Sequence, residues 1–358
     1  MKAMKKHTSP GVWPTDGLEY IGRCPICDST ARGILYDELT DRVFYCAPGT
    51  WRLYRCRGCH AAYLDPRPDL DTIDQAYADY FTHEEAPSPS ILEPMNIPAG
   101  KLRFALRNGY LNKRFGYSLK PALDLGFFFA RLLPLSRARE DRGVRHLQFA
   151  SQHPHLLDVG CGNGGFLRQM TELGWQAQGL DPDPKAVSAA IEAGVAVQHG
   201  TLLDSGLPDD YFDAITLGHV IEHLHDPAAN LEVCYRALRP NGLIWIGTPN
   251  LSSLGHAKFR RSWIGLDPPR HLVLFTPDSL RHALESVGFR ITSYPPVLRG
   301  NSFFRTSAAM ERGLDPMDPP PLPRSLQSGA LLADFLSWLR PGLSEELVLI
   351  ARKEVCDG

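Results

Sequence analysis

The chain has 358 residues, 43% of them hydrophobic and 22% charged, with a formal net charge of −2 at pH 7. That is enough apolar matter for roughly two domains and excludes a mainly disordered chain. The near-neutral balance weakens any claim of non-specific nucleic-acid binding by the protein as a whole. No apolar run reaches the length of a membrane span. The longest candidate, residues 123–135, is interrupted by Asp124, Arg131 and Pro134. The basic N-terminus is not followed by an apolar stretch, so no signal peptide is read. A reducing, cytoplasmic setting is expected, and the eight cysteines need a reason other than disulfides.

Residues 1–90 carry Cys24-Pro-Ile-Cys27 and Cys56-Arg-Gly-Cys59, two C-x-x-C pairs separated by 28 residues. Four thiolates at this spacing predict a tetrahedral zinc ribbon. Four thiolates leave no open position for chemistry, so Zn²⁺ is expected to be structural and to supply folding energy to a segment with little core. A redox dithiol is the alternative, and two matched pairs disfavour it. Cys46, Cys161, Cys234 and Cys356 lack such spacing and read as ordinary thiols, with His60 a bystander.

Residues 91–150 form a basic insert. Between 101 and 145 there are eleven Lys or Arg and three acids (Asp124, Glu140, Asp141), a local balance of +8. Leu125, Phe127, Phe128, Phe129, Leu132 and Leu133 form an apolar knot within it. Three uses are open: a helical lid, peripheral contact with an anionic membrane surface, or a grip on RNA.

From 151 to 300 strand-like and helical patterns alternate. Strands are predicted over 156–160, 177–181, 195–200, 212–218, 243–248 and 289–294. Helices are predicted over 165–173, 184–193, 227–238 and 278–286, the last capped by Asp278 and ended by Gly288. Residues 301–342 are Pro-rich and then amphipathic, a second lid element, and 343–358 return to a final strand over 345–353. Alternation of this kind predicts a parallel α/β sheet covered on both faces.

The first of these strands feeds Asp158-Val-Gly160-Cys-Gly162-Asn-Gly164, a turn that lets backbone approach a ligand at a helix N-terminus. Asp181 ends the next strand, where an acid accepts hydrogen bonds from ribose hydroxyls. The glycine spacing also suits a dinucleotide fold. Asp158 argues against that, because a carboxylate there repels a pyrophosphate and suits a ligand ammonium group. The run from Asp158 to Gly164 resembles the first motif of class I S-adenosylmethionine-dependent methyltransferases, and Gly179-Leu-Asp181-Pro resembles their second. The stretches 206–215 and 236–242 are similar to the approaches to their fourth and fifth strands. The resemblance implies a Rossmann-like sheet with an N-terminal zinc ribbon and helical lid. It also implies S-adenosylmethionine as cofactor, with Asp158, Gly160, Gly162 and Gly164 around its methionine part, Asp181 on the ribose, and Thr201 and Leu202 flanking adenine. Thr201 stands where the family often has an acid, which Asp204 could replace.

The fourth strand runs into His219-Val-Ile-Glu222-His223. Strand carboxyl ends face the ligand crevice in such sheets, so these three side chains are catalytic candidates. His223 as general base is one role. A divalent ion held by His219, Glu222 and His223 is another, although His219 replaces the first Glu of the similar ubiquinone-type string, and Mg²⁺ prefers oxygen ligands. A purely structural loop is the third. The stretch 263–276 resembles the Pro-x-His-x-x-x-Phe loop of small-molecule methyltransferases. It offers His271 as a rival base and Arg270 as a substrate ligand, and Asn250 is a further substrate candidate.

The expected function is methylation of a small-molecule, sugar or lipid-linked glycan hydroxyl. RNA base methylation, C- or N-methylation of an activated sugar, and a non-catalytic assembly partner are the alternatives. The acceptor and the oligomeric state are not legible in the sequence.

Overall fold

The computed structural model describes residues 11–78, 92, 100–149 and 152–354. Cys356 lies outside the described residues. Five short strands open the chain: β1 (Leu18–Glu19), β2 (Arg32–Leu39), β3 (Trp51–Cys56), β4 (Ala62–Leu64) and β5 (Arg67–Pro68). Three helices follow: α1 (Gly100–Phe115), α2 (Leu125–Leu132) and α3 (Pro134–Gly143). The α/β stretch then runs β6 (His155–Val159), α4 (Gly165–Glu172), β7 (Gln176–Asp181), α5 (Pro184–Glu192), β8 (Ala196–His199), β9 (Phe212–Gly218), α6 (Pro227–Ala237) and β10 (Leu238–Pro249). It continues with α7 (Leu254–Phe259), β11 (Val273–Leu274), α8 (Pro277–Val287), β12 (Phe289–Ser293), α9 (Gly300–Glu311), α10 (Arg324–Leu339) and β13 (Glu346–Lys353).

Seven strands form one sheet in the order β12-β13-β10-β9-β6-β7-β8. β6 pairs in parallel with both β7 and β9, and β7 pairs in parallel with β8. The parallel α/β arrangement is the one that the alternating pattern predicts, and the sheet is Rossmann-like, as the resemblance implies. The last strand, β13, returns between β10 and β12. Local chemistry sets the helix starts. Asp183 caps α5 by accepting from the Lys185 N–H at 2.9 Å, with Pro184 next. The expected cap Asp278 is corrected to Thr276: its hydroxyl accepts from Ser279 N–H and the Ser279 hydroxyl answers at Thr276 N–H. Pro277 takes the first helical position, so the cap moves two residues upstream and the helix starts one residue ahead of the predicted 278. Gly288 ends the helix in the left-handed conformation, as expected.

The described residues group into two compact units. One draws on the chain up to residue 80, on 219–232 and on 246–351; the other draws on 81–218, 233–245 and the chain from 352 onward. In the first unit, β2, β3 and β4 are completed by β11, which pairs antiparallel with β4 (Val273 opposite Tyr63, Leu274 opposite Ala62). The cysteine-bearing segment therefore shares a sheet with the loop that carries Arg270 and His271. In the same unit α10 turns small residues (Ala330, Ala333, Ser337) inward. Asp334 accepts from Gly300 N–H at 2.7 Å and ties α10 to α9. The larger Leu331, Leu332, Phe335 and Trp338 of α10 are exposed.

Candidate active site

The glycine loop lies in the second unit. Gly160, Gly162 and Gly164 have φ of 66°, 54° and 75°, a left-handed run that side-chain-bearing residues rarely adopt. A Cβ at Gly162 would meet nothing within 4 Å, so this backbone borders open space. Asp181 holds the loop from beneath: Oδ2 accepts from Gly162 N–H at 2.8 Å and Oδ1 from Asp183 N–H at 2.9 Å. Burial pushes its carboxyl above the ordinary range. Each oxygen keeps a second lone pair, enough for a ribose hydroxyl. Thr201 donates to Asp204 at 2.7 Å, and Leu202 is buried beside them.

Asp158 is engaged differently from the expectation. It is buried, its Oδ1 accepts from Thr216 at 2.8 Å, and the same oxygen is paired with the guanidinium of Arg145. Arg145 also donates to Thr216 at 2.7 Å and lies 3.7 Å above the Phe166 ring. The Asp158 charge is thus balanced inside the protein, and the cation standing over it is Arg145. Sequence reasoning missed Arg145, because nothing distinguishes it among the eleven cations of its segment.

The histidine cluster lies in the first unit. Glu222 is fully buried; Oε2 accepts from Thr248 at 2.9 Å, while Oε1 stands 3.3 Å from His219 Nδ1 without forming a hydrogen bond to any group. Burial would raise the Glu222 carboxyl, but His219 and the neighbouring imidazoles outweigh it and hold it down to about 2. His219 faces a second buried carboxylate, Glu346, at 3.6 Å, which Arg299 pairs at 2.9 Å. Burial opposes its charge, yet the two carboxylates raise its imidazole to about 9. The two carboxylates favour the charged form of His219, which suits a fixed cation better than the expected general base.

His223 is the opposite case. Burial, reinforced by His271, lowers it to about 4, so the ring is neutral. Its Nδ1 lies 3.0 Å from the Arg270 carbonyl and 2.9 Å from the Tyr77 hydroxyl. The carbonyl only accepts, which favours the tautomer with the proton on Nδ1 and the lone pair on Nε2. His271 has the same arrangement, with Nδ1 2.8 Å from the Gly265 carbonyl. The two rings stand 4.8 Å apart. One ligand atom from each of Glu222, His223 and His271 lies within 4.8 Å of the others.

Arg270 and Asn250 do not fit their expected role as substrate ligands. Arg270 is fully buried and donates to both oxygens of Asp41, both oxygens of Asp267 and the Ala76 carbonyl. Its fork is saturated by the protein and pins residues 41 and 76 to the 267–271 loop. Asn250 Nδ2 donates to the Gly342 and Ser344 carbonyls at 2.9 and 2.7 Å, and its Oδ1 accepts from Ser252 N–H. Both fix loops. Tyr77, Thr248, Glu346 and Asp41, which support the cluster, carry no motif and were not legible in the sequence.

The four cysteines come together in the first unit. Their sulfurs lie within 4.8 Å of one another, with Cys24–Cys59 and Cys27–Cys56 each at 3.5 Å and all four thiols unbridged. A Zn–S bond of about 2.3 Å gives a tetrahedral edge of roughly 3.8 Å, so the donor set fits Zn²⁺. Asp28 and His60, each following the second cysteine of its pair, have φ of 59° and 65° and close the two knuckles.

A parallel sheet with a glycine turn after one strand and an acid ending the next defines a Rossmann-like protein for an adenosyl ligand. A family model described as a methyltransferase domain matches residues 129–294. A ubiquinone biosynthesis O-methyltransferase of Chelativorans sp. (strain BNC1) is 31% identical over 145 residues, 37% of this chain and 57% of that protein. Another, of Methylobacterium sp. (strain 4-46), is 30% identical over 175 residues, 45% of this chain and 70% of that protein. The crystal structure of an S-adenosylmethionine-dependent methyltransferase from Archaeoglobus fulgidus aligns with TM-score 0.41 and 22% identity, covering 63% of this chain and 99% of that one. The chain belongs to the class I S-adenosylmethionine-dependent methyltransferases. It spans little more than half the length of the first of these curated relatives.

Proposed function

We propose that this protein transfers the methyl group of S-adenosylmethionine to a hydroxyl oxygen of a small-molecule, sugar or lipid-linked glycan acceptor. The observation that carries the hydroxyl reading is the set of lone pairs in the first unit. His223 and His271 each have Nδ1 against a carbonyl, which favours a lone pair on Nε2, beside Glu222, whose Oε1 faces His219 at 3.3 Å. The names of the two curated relatives, both O-methyltransferases, support the same choice. The bound sulfonium supplies an electrophilic methyl group, and its transfer to a hydroxyl leaves one proton to be taken up. His223 Nε2 takes that proton; the neighbouring Glu222 carboxylate favours the imidazolium that results. His271 is the rival for this role, and the two carboxylates against His219 favour its charged form instead. In the second unit, Asp181 receives the ribose hydroxyls, Thr201 and Leu202 flank adenine, and the backbone at Gly160 and Gly162 lies along the methionine part. Arg145, stacked on Phe166 and anchored by Asp158, offers its remaining N–H groups to the carboxylate.

The same convergence favours a second reading, in which Glu222, His223 and His271 hold a divalent ion that lowers the acceptor's pKa. Two imidazoles and one carboxylate suit a transition metal better than Mg²⁺. Calorimetry with S-adenosylhomocysteine, followed by transfer of radiolabelled methyl into metabolite and glycan extracts, tests the main reading. Heat without any labelled product would leave a cofactor-binding protein and sink the enzyme. Metal analysis separates the two site readings: one equivalent of Zn²⁺ with chelator-resistant turnover supports His223 as base, and a second equivalent whose removal stops turnover supports the ion.

A further inference from the structure

We propose that the outward face of α2 and its turn into α3 docks on an anionic lipid surface. The inference goes beyond methyl transfer and does not depend on it.

α2 is packed inside out. Its inner contact is Gly126, where a Cβ would lie 1.7 Å from the Leu106 carbonyl oxygen of α1. The reciprocal contact is Gly109 of α1, where a Cβ would lie 1.8 Å from the Leu123 carbonyl oxygen. Glycine on both sides lets the two backbones touch; Phe127 stacks on Tyr110 of α1, and the other large apolar side chains of α2 are left facing out. Leu125, Phe128, Phe129, Leu132, Leu133 and Leu135 are 50–76% exposed. A helix that only decorated a water-soluble surface would have the reverse pattern, with its apolar stripe inward. A patch of this kind marks a surface that is covered in use.

The charge around it selects the occupant. The three acids between residues 101 and 145 are already paired: Asp124 with Lys113 at 3.1 Å, Glu140 with Arg107 at 2.9 Å and Asp141 with Arg114 at 3.2 Å. Arg145 is paired with Asp158. The cationic surplus of the segment therefore falls on residues such as Lys120, Arg131, Arg137 and Arg139, in a chain whose total charge is −2. The Arg131 guanidinium sits 5.6 Å over the Phe127 ring, and the Lys113 ammonium 5.6 Å over Phe128, so cation and apolar group are interleaved. Apolar side chains interleaved with cations suit a bilayer interface with anionic headgroups. A second copy would bring like charge against like charge in a twofold pairing. Nucleic acid would satisfy the cations and leave six leucines and phenylalanines in water. Among the described residues no helix is long and apolar enough to cross a membrane, so this face would lie on the surface.

The test is flotation of the full chain with phosphatidylcholine vesicles and with vesicles in which part of the lipid is phosphatidylglycerol. Binding should appear on the anionic vesicles, weaken with added salt, and fall about fivefold for each of Lys120→Gln and Arg131→Gln. Phe128→Asp with Leu132→Asp should abolish it. These side chains are exposed, so thermal melting and calorimetric binding of S-adenosylhomocysteine should be unchanged. If the double variant melts early, the two Gln variants carry the decision alone. The proposal is overturned by failure to float with anionic vesicles, by equal binding to both vesicle types, or by binding that ignores the variants. A dimer that Phe128→Asp dissociates, with no vesicle binding, would assign the face to a second copy instead. Binding of an RNA probe with no vesicle binding would assign the cations to nucleic acid.

Discussion

The glycine loop of the second unit is one continuous run of backbone, whereas the cluster around His223 collects side chains from stretches as far apart as Asp41 and Glu346. The loop needs little beyond its own φ angles and the Asp181 carboxylate under Gly162. The cluster needs buried carboxylates, imidazoles and a guanidinium that are tolerable only while paired. A local device of this kind depends on a few positions and fails in proportion to each. A collective one fails sharply when a single partner is removed.

Breaking the cluster at its chemistry should have the largest effect. His223→Ala is expected to lower kcat by roughly 10²–10⁴ while leaving cofactor affinity intact. The pH profile sharpens this. With His223 lowered to about 4, turnover should be flat through pH 6–7, and it should change again near 9 as His219 loses its proton. Turnover that survives His223→Ala and is lost in His271→Ala would transfer the role to His271. Stability carries matching signs. The depressed His223 makes the unfolded chain bind its proton first, so stability falls as pH drops from about 6.5 towards 4. The raised His219 adds stability that is full below about 6.5 and is lost as pH rises through about 9.

Next in size is the pin behind the cluster. Arg270→Ala leaves Asp41 and Asp267 buried without their cation and should cost about 3–5 kcal/mol in denaturant unfolding. A loss under about 1 kcal/mol would mean that the triad does not hold residues 41 and 267 together. In the other region, Arg145→Ala should weaken S-adenosylhomocysteine binding by ~1.5–3 kcal/mol, read by calorimetry, if its guanidinium meets the carboxylate. Unchanged affinity would leave Arg145 as a counter-ion to Asp158 alone. The smallest effect should come from Gly162→Ala. A left-handed alanine costs about 1–2 kcal/mol in stability, and the Cβ itself meets nothing in the protein. Any further loss in cofactor affinity would measure how closely the ligand approaches that backbone.

The fold was largely legible because its signals are local. The strand over 212–218 is observed at the predicted bounds, and α4, α5, α6 and α8 lie within a residue or so of theirs. Misplacing the α8 cap at Asp278 came from treating an acid as the cap when Thr276 and Pro277 supply a stronger pair. β10 begins at Leu238, ahead of the predicted 243, with Asn241 left-handed inside the turn it crosses. The site was legible in its residue types and less so in their roles. His219 and His223 are four positions apart and read alike in a motif. Two carboxylates raise one, and burial with a second imidazole lowers the other.

The sequence by itself determined what depends on neighbours along the chain: the glycine turn, the acid that closes the next strand, the cysteine spacing and the alternation that lays down the sheet. Only the tertiary structure decided which charges face each other. It joined β11 to the sheet of the cysteine-bearing segment, turned Arg270 from a substrate ligand into a buried pin, set Arg145 over Asp158, and shifted two histidines of one motif in opposite directions. Backbone conformation is fixed by sterics within a few residues, whereas the charge state and availability of a side chain are fixed by burial and by partners that arrive from elsewhere in the chain.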